Sequence, residues 1–219
     1  MKDGILLVDK PAGMSSFAVV AKVRRALSEQ ASQRLKVGHT GTLDPFATGL
    51  LILVVGSYTK RAAEFSGLDK TYEAELTLGQ NSTTGDPEGE LSNVSTRKPS
   101  QQEIEKILNS FVGQINQTPP AFSAIKVNGQ RAYKLARAGK KVELKPRPVT
   151  IRSIDKIDYK YPKLSFVTEV SSGTYIRSLA EDIGKKLGTG AYLSALRRTK
   201  VGEYSVTDAT NEEIVAKTP

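Results

Sequence analysis

Asp44 is the carboxylate around which chemistry in this chain is most readily built. It lies in Gly38-His39-Thr40-Gly41-Thr42-Leu43-Asp44-Pro45-Phe46-Ala47-Thr48-Gly49-Leu50-Leu51, a stretch that also holds the only histidine of the sequence. Pro45 biases Asp44 away from the helical region and towards an extended backbone. Gly38, Gly41 and Gly49 allow turns, or the close approach of a ligand, that other residues would block. No Gly-Lys-Ser/Thr closes the loop, so it is not a Walker phosphate loop. The glycines precede the hydrophobic run Leu50-Leu51-Ile52-Leu53-Val54-Val55 rather than follow a strand, which argues against a dinucleotide fingerprint. What remains is one carboxylate displayed beside His39 on a loop that feeds a buried strand, a rigid base for fixed side chains. On residue types alone, the same loop reads equally well as a structural turn with Asp44 as its cap.

Composition narrows the chemistry further. The chain has 219 residues, enough for one large domain or two small ones with a sizeable core. Its net charge of +9 suggests a polyanionic partner, most simply nucleic acid, although a basic and indifferent surface is common. It has no cysteine and one histidine, which excludes disulfides, thiolate metal sites and a His-rich zinc site. Chemistry must therefore come from carboxylates, tyrosines, lysines and arginines, or from a cofactor. Ile5 to Val8 is too short for a signal peptide, and Leu50 to Val55 is too short to span a bilayer. A soluble, cytoplasmic protein is expected.

The elements that must position these residues follow from patterning. Ile5 to Val8 reads as a strand and Lys10-Pro11-Ala12-Gly13 as a turn. Ser15 or Ser16 can cap a helix to about Leu27, with Phe17, Val20, Val23 and Leu27 on one face. Thr59 to Phe65 suggests a short helix. Lys70 to Leu78 alternates cleanly, placing Tyr72, Ala74, Leu76 and Leu78 on the buried side of a strand. Gly79 to Glu90, which contains Asp86, reads as a solvated loop. Ser100 to Glu103 is a capping box opening a helix to about Phe111. Pro119-Pro120 breaks the chain, Ala124 to Val127 suggests a short strand, and Asn128-Gly129 signals a turn. A helix carrying Arg131, Lys134 and Arg137, with Lys140 and Lys141 beyond, interleaves cations with Tyr133. That suits a nucleic-acid grip, or simply a solvated amphipathic helix. Val149 to Asp158 and Leu164 to Val170 read as strands, Tyr175 to Leu187 as a helix and Val201 to Val206 as a strand. Asn211 can cap a closing helical turn. Arg177 stands in the first turn of its helix, where a cation opposes the macrodipole unless a carboxylate or phosphate meets it. This makes Arg177 a candidate partner for Asp44.

Gly38 to Leu51 resembles the catalytic signature of the TruB family of tRNA pseudouridine synthases. Further stretches similar to that family lie in the same order along the chain: Gly4 to Ser16, Lys70 to Ala74, Pro120 to Gly139, and Gly173-Thr174-Tyr175-Ile176-Arg177. The resemblance covers nearly the whole chain. It implies an α/β fold of α+β type, with a mixed central β-sheet flanked by helices and an RNA-binding thumb inserted at about residues 117–146. It implies a single catalytic domain over 1–219. Many bacterial members carry a C-terminal PUA domain; none is evident here, which puts contact with the acceptor end of tRNA in doubt.

The resemblance also implies roles for individual residues. Asp44 is the catalytic carboxylate, as nucleophile or as base at the neighbouring ribose carbon. Tyr72 stacks on the target uracil or helps remove its C5 proton, and Arg177 lowers the carboxylate pKa. Tyr175 and Leu196 line the pocket, and Lys10 shapes its floor. His39 touches the flipped nucleotide or fills the vacated stack. Asp86 borders the RNA cleft, while Arg131, Lys134 and Arg137 clamp the T-arm of tRNA. The implied reaction is conversion of uridine to pseudouridine at the T-loop position called U55. No metal, redox cofactor or membrane partner is implied, and a monomer is expected. Two alternatives remain at this level. One is a non-catalytic RNA-binding or tRNA-folding protein on the same scaffold. The other is an N-glycosyl hydrolase, which also sets a carboxylate against an anomeric carbon.

Overall fold

A computed structural model of the chain describes residues 3–127 and 129–209. The expected turn residue Asn128 and the expected helical cap at Asn211 lie outside the described residues. The chain divides into two compact units, Met1–Glu73 with Leu196–Pro219, and Ala74–Ala195. In chain order the first segment holds β1 (Gly4–Lys10), α1 (Ser16–Gln30), β2 (Val37–His39), β3 (Thr48–Val55) and α2 (Ala62–Ser66), the last preceded by a 3-10 helix at Gly56–Arg61. Next come β4 (Lys70–Leu78), β5 (Gln80–Ser82), β6 (Leu91–Asn93), α3 (Gln101–Asn109) and β7 (Gly113–Gln117). They are followed by β8 (Lys126–Val127), β9 (Gln130–Arg131), α4 (Ala132–Arg137), β10 (Arg147–Lys160) and β11 (Lys163–Val170). The described chain closes with α5 (Ile176–Leu187), β12 (Ala191–Val201), β13 (Tyr204–Ser205) and a 3-10 helix at Val206–Asp208.

In the first unit, β3 explains why Leu50 to Val55 is apolar without alternation. Leu51, Leu53 and Val55 pack with Leu6 and Val8 of β1 and Val19, Val20, Val23 and Leu27 of α1. Leu50, Ile52 and Val54 face the other way, against Phe65 and Val201. A strand buried on both faces reads as a continuous hydrophobic run. Each such side chain contributes about 1.5–3 kcal/mol relative to leaving it exposed. β1 and β2 pair antiparallel with β3, and Arg197 and Arg198 of β12 pair with it in parallel, so the sheet is mixed. The strand order here is β1-β3-β12-β4, with β13 on β12.

Helix α1 corrects one expectation. Its buried residues are Ser16, Val19, Val20, Val23 and Leu27, while Phe17 is 69% exposed. At about 100° per residue Phe17 falls at one edge of the row formed by Val20, Val23 and Leu27, and the opposite edge, at Val19, is the one that packs inward. The strand expected at Val201 to Val206 is interrupted at Gly202-Glu203. The longer strand is β12, whose second half is masked in the sequence by Arg197, Arg198 and Lys200.

The second unit carries the other parts of β4 and β12, with strand order β12-β4-β11-β10-β7. Buried Ile104 and Leu108 of α3, Leu179 and Ile183 of α5, and Ile151 and Leu164 of the sheet form its interior. The capping box at α3 is present: Glu103 N donates to Ser100 Oγ, and Ser100 N donates to the Glu103 carboxylate. α5 ends on Gly188 in the left-handed conformation.

Candidate active site

The candidate residues fall into two groups, one in each unit. In the first unit, the backbone around Asp44 is fixed residue by residue. Thr40 N donates to Ile52 O at 3.1 Å, and the pairing of β2 with β3 sets His39 opposite Leu53. Leu43 N donates to Ser16 Oγ at 2.8 Å, and Ser16 Oγ donates to Leu43 O at 2.9 Å. On the far side of Asp44, Pro45 O accepts from Gly13 N at 2.8 Å. It also accepts from Lys10 Nζ at 3.2 Å. Asp44 O accepts from Ala47 N at 3.1 Å, closing a turn. Asp44 itself is half-buried, so its carboxylate stands on a fixed base without being sealed from solvent.

Lys10 is fully buried, although a lysine beside a turn is ordinarily exposed. Its ammonium also donates to Pro11 O at 2.8 Å and Met14 O at 2.7 Å. With Pro45 O, these carbonyls give its three N–H donors an acceptor each, which is how a buried ammonium is accommodated.

Arg198 ties down both flanks of the same loop. It is 2% exposed, and its guanidinium donates to Leu50 O at 2.7 Å and to Gly41 O at 3.1 Å. Gly49 has φ +102°, and a Cβ there would lie 2.2 Å from Arg198 O. Glycine at 49 is therefore demanded by both backbone conformation and space. Next to it, Arg197 makes a two-pronged pair with Asp9 at 3.0 and 2.6 Å, and this hydrogen bonding holds Arg197 more firmly protonated. Tyr72 lies in the buried row of β4 and is 8% exposed, and Leu196 is half-buried on β12.

In the second unit the centre is Arg177, 5% exposed in the first turn of α5. The carboxylate that meets it in its own unit is Asp86, at 3.3 Å. Arg177 also donates to Thr84 O at 3.0 Å and Phe122 O at 2.8 Å. Asp86 is 3% exposed, so the solvated-loop expectation fails at this residue. Its carboxylate accepts from Thr84 Oγ1 at 2.6 Å and from Glu88 N at 3.0 Å as well. Burial is the main reason the Glu181 carboxyl is pushed up. Asp182 and Asp86 add to that shift and Arg177 opposes it.

Tyr175 is the N-cap residue of α5 and makes no side-chain cap. Gln117 takes over: Tyr175 N donates to Gln117 Oε1 at 2.8 Å, and Gln117 Nε2 donates to Tyr175 O at 3.0 Å. Ser178 Oγ donates to Thr118 O at 2.9 Å. The base of the segment after Gln117 is thus stitched to the helix turn that bears Tyr175 and Arg177. Farther out, Arg131, Lys134 and Arg137 are exposed, and the Arg137 guanidinium sits 5.7 Å from the centroid of the Tyr133 ring.

The structure thus brings Asp86 to Arg177, and Lys10 to the loop of Asp44. It lines Lys134 and Arg137 along α4, with Arg131 as its N-cap residue. Ser16 and Arg198 join the first group, and Gln117 the second, only in the structure. Polar side chains that bond to distant backbone leave no periodic trace in a sequence. Among the described residues, no group of three or more His, Cys, Asp or Glu side chains could hold a metal ion, and no helix is long and apolar enough to cross a membrane.

Comparison with known proteins agrees with this architecture. Residues 24–176 match the family model of the TruB family pseudouridylate synthase N-terminal domain, and residues 177–218 match that of the tRNA pseudouridylate synthase B C-terminal domain. tRNA pseudouridine synthase B of Aquifex aeolicus is 45% identical, over 96% of this chain and 72% of the relative. The enzyme of that name from Thermobifida fusca is 46% identical, over 99% of this chain and 76% of its own length. Among solved structures, a Cbf5-Nop10-Gar1 complex contains a chain that superposes with a TM-score of 0.69 at 28% identity, covering 92% of this chain and 50% of that one. With a family model matched over most of its length and relatives this similar along nearly all of it, the chain belongs to the TruB family of pseudouridine synthases.

Proposed function

We propose that this protein isomerises uridine to pseudouridine in tRNA, at the T-loop position called U55, with Asp44 as the reacting carboxylate. The observation that carries the assignment is the backbone of the Asp44 loop, held on both sides while the Asp44 side chain stays half-buried. A carboxylate fixed in this way suits a reaction that needs negative charge at one defined atom.

The bond from uracil N1 to the ribose anomeric carbon breaks, and that carbon becomes electron-poor, as in glycoside chemistry. Asp44 meets the deficit as a nucleophile whose bond to that carbon breaks when C5 attacks, or takes a proton from the neighbouring ribose carbon and returns it when C5 attacks. The uracil turns, C5 bonds to the anomeric carbon, the C5 proton is lost and N1 gains one. Atoms balance within the nucleotide, and nothing is oxidised or reduced, so the sequence of steps calls for no redox cofactor. Tyr72 and Leu196 serve the uracil ring, Lys10 holds the Asp44 loop, and Arg177, whose charge is met by Asp86, sets the helix turn that carries Tyr175. The target base must leave its stack, and His39 is assigned to the flipped nucleotide or the space it vacates. The cations Arg131, Lys134 and Arg137 grip the T-arm phosphates. The protein acts as a monomer in the cytoplasm.

The test is nucleoside analysis of an unmodified tRNA transcript after incubation with the protein. Pseudouridine at one T-loop position, with no free uracil, is expected. Free uracil would assign an N-glycosyl hydrolase, and unchanged nucleosides despite tight binding would assign a binding protein.

A further inference from the structure

We infer that Ser16 is a positioning residue for the reacting carboxylate; this rests on Asp44 being that carboxylate. Two serines stand together at the start of α1, and they do different work. Ser15 is the N-cap, accepting from Ala18 N at 3.1 Å. Helix α1 therefore does not need the Ser16 hydroxyl as its cap. That hydroxyl is directed at residue 43 instead, the residue immediately before Asp44.

Ser16 is 2% exposed, and its hydroxyl accepts from Leu43 N at 2.8 Å while donating to Leu43 O at 2.9 Å. Leu43 lies between β2 and β3, outside any strand, so its buried backbone has no ladder to join. One hydroxyl supplies what a neighbouring strand otherwise would. The peptide on the other side of Asp44 is held at Pro45 O by Gly13 N and Lys10 Nζ. With both flanking residues anchored, the carboxylate moves chiefly by rotation about its own side-chain bonds. The anchors come from α1, the turn that precedes it and the end of β1, so this corner of the unit sets where the carboxylate stands.

The experiment compares Ser16→Ala, Ser16→Cys and Ser16→Thr with Ser15→Ala in the full chain. Three quantities are read: single-turnover tritium release from C5-labelled tRNA transcript, tRNA affinity and thermal unfolding. Ser16→Ala is expected to slow the single-turnover step about 10- to 100-fold, the scale of a small misplacement of a reacting group, while tRNA affinity stays within about twofold. Ser16→Thr keeps the hydroxyl and stays near the wild-type rate. Ser16→Cys, with weaker hydrogen bonding and similar volume, falls between Thr and Ala. Ser15→Ala lowers the unfolding temperature through the missing cap without slowing the step. Wild-type rates in Ser16→Ala overturn the inference, as does an equal slowing in Ser15→Ala or a loss explained by weaker tRNA binding. Full activity in Asp44→Asn would overturn this reading and the assignment of Asp44 together. Loss in Asp44→Asn beside a wild-type rate in Ser16→Ala overturns this one alone.

Discussion

The Arg177 guanidinium lies 3.3 Å from the Asp86 carboxylate, with both side chains almost wholly buried. Neither charge is left to its partner alone. Two carbonyls accept from Arg177, and a hydroxyl and a backbone N–H donate to Asp86. Such saturation is what makes a buried ion pair tolerable, because desolvation otherwise cancels the attraction.

Removing one partner leaves the other charge buried and uncompensated. Asp86→Ala is expected to lower the unfolding free energy by about 3–5 kcal/mol in urea titrations, and Asp86→Asn by less, since the amide oxygen keeps the bonds from Thr84 and Glu88. A loss below about 1 kcal/mol for Asp86→Ala, the range of an exposed pair, would show that Arg177 does not depend on Asp86.

Gly49 faces a steric limit. Its backbone conformation alone costs a non-glycine residue about 1–3 kcal/mol, and a Cβ would overlap the backbone of Arg198. Gly49→Ala should therefore melt well below the wild type in a thermal scan. Unchanged melting would mean that β3 and β12 can separate here without cost.

Lys70 makes stability depend on alkaline pH. Burial pushes its ammonium down from 10.5 to about 8, Arg198 adds to the shift, and Asp69 opposes it. The folded state thus binds fewer protons than the unfolded state between about pH 8 and 10.5, and stability contributed by this residue rises with pH across that window. The neutral amine still has hydrogens for Ser66 O and Leu68 O, its acceptors at 2.6 Å each. Urea titrations across the window should show wild type gaining on Lys70→Met as pH rises. A constant difference would place the folded-state pKa near its ordinary value.

The exposed cations of the second unit make a separate prediction. Replacing Arg131, Lys134 and Arg137 by alanine should weaken tRNA binding and flatten its dependence on salt, by about 0.7–0.9 in logarithmic slope for each phosphate no longer neutralised. Binding that weakens with an unchanged slope would mean that these residues do not meet phosphates.

The parts of this molecule that are legible in the sequence are those where local pattern and tertiary role coincide. The continuous apolar run of β3, the alternation of β4 and the capping box of α3 each carry their own periodicity or cap. Asp86 reads as part of a solvated loop because Pro87, Glu88, Gly89 and Glu90 around it are solvated in character; its partner Arg177 lies far along the chain. β12 is hidden because Arg198, a residue expected outside, is buried by donating to two backbone carbonyls. Ser15 and Ser16 are interchangeable as caps on residue type. Only the arrival of Leu43 separates a cap from an anchor. Gln117 is hidden for the same reason, since an amide that pairs with the backbone of Tyr175 has no spacing by which to find it.

The proposed isomerisation depends on the carboxylate at position 44. Release of tritium from C5-labelled uracil in an unmodified tRNA transcript reads that step directly, because C5 cannot bond to the ribose without losing its hydrogen. Wild type is expected to release tritium from the T-loop uridine, and Asp44→Asn to release none while binding the transcript with unchanged affinity. Release at the wild-type rate by Asp44→Asn would remove that carboxylate from the reaction.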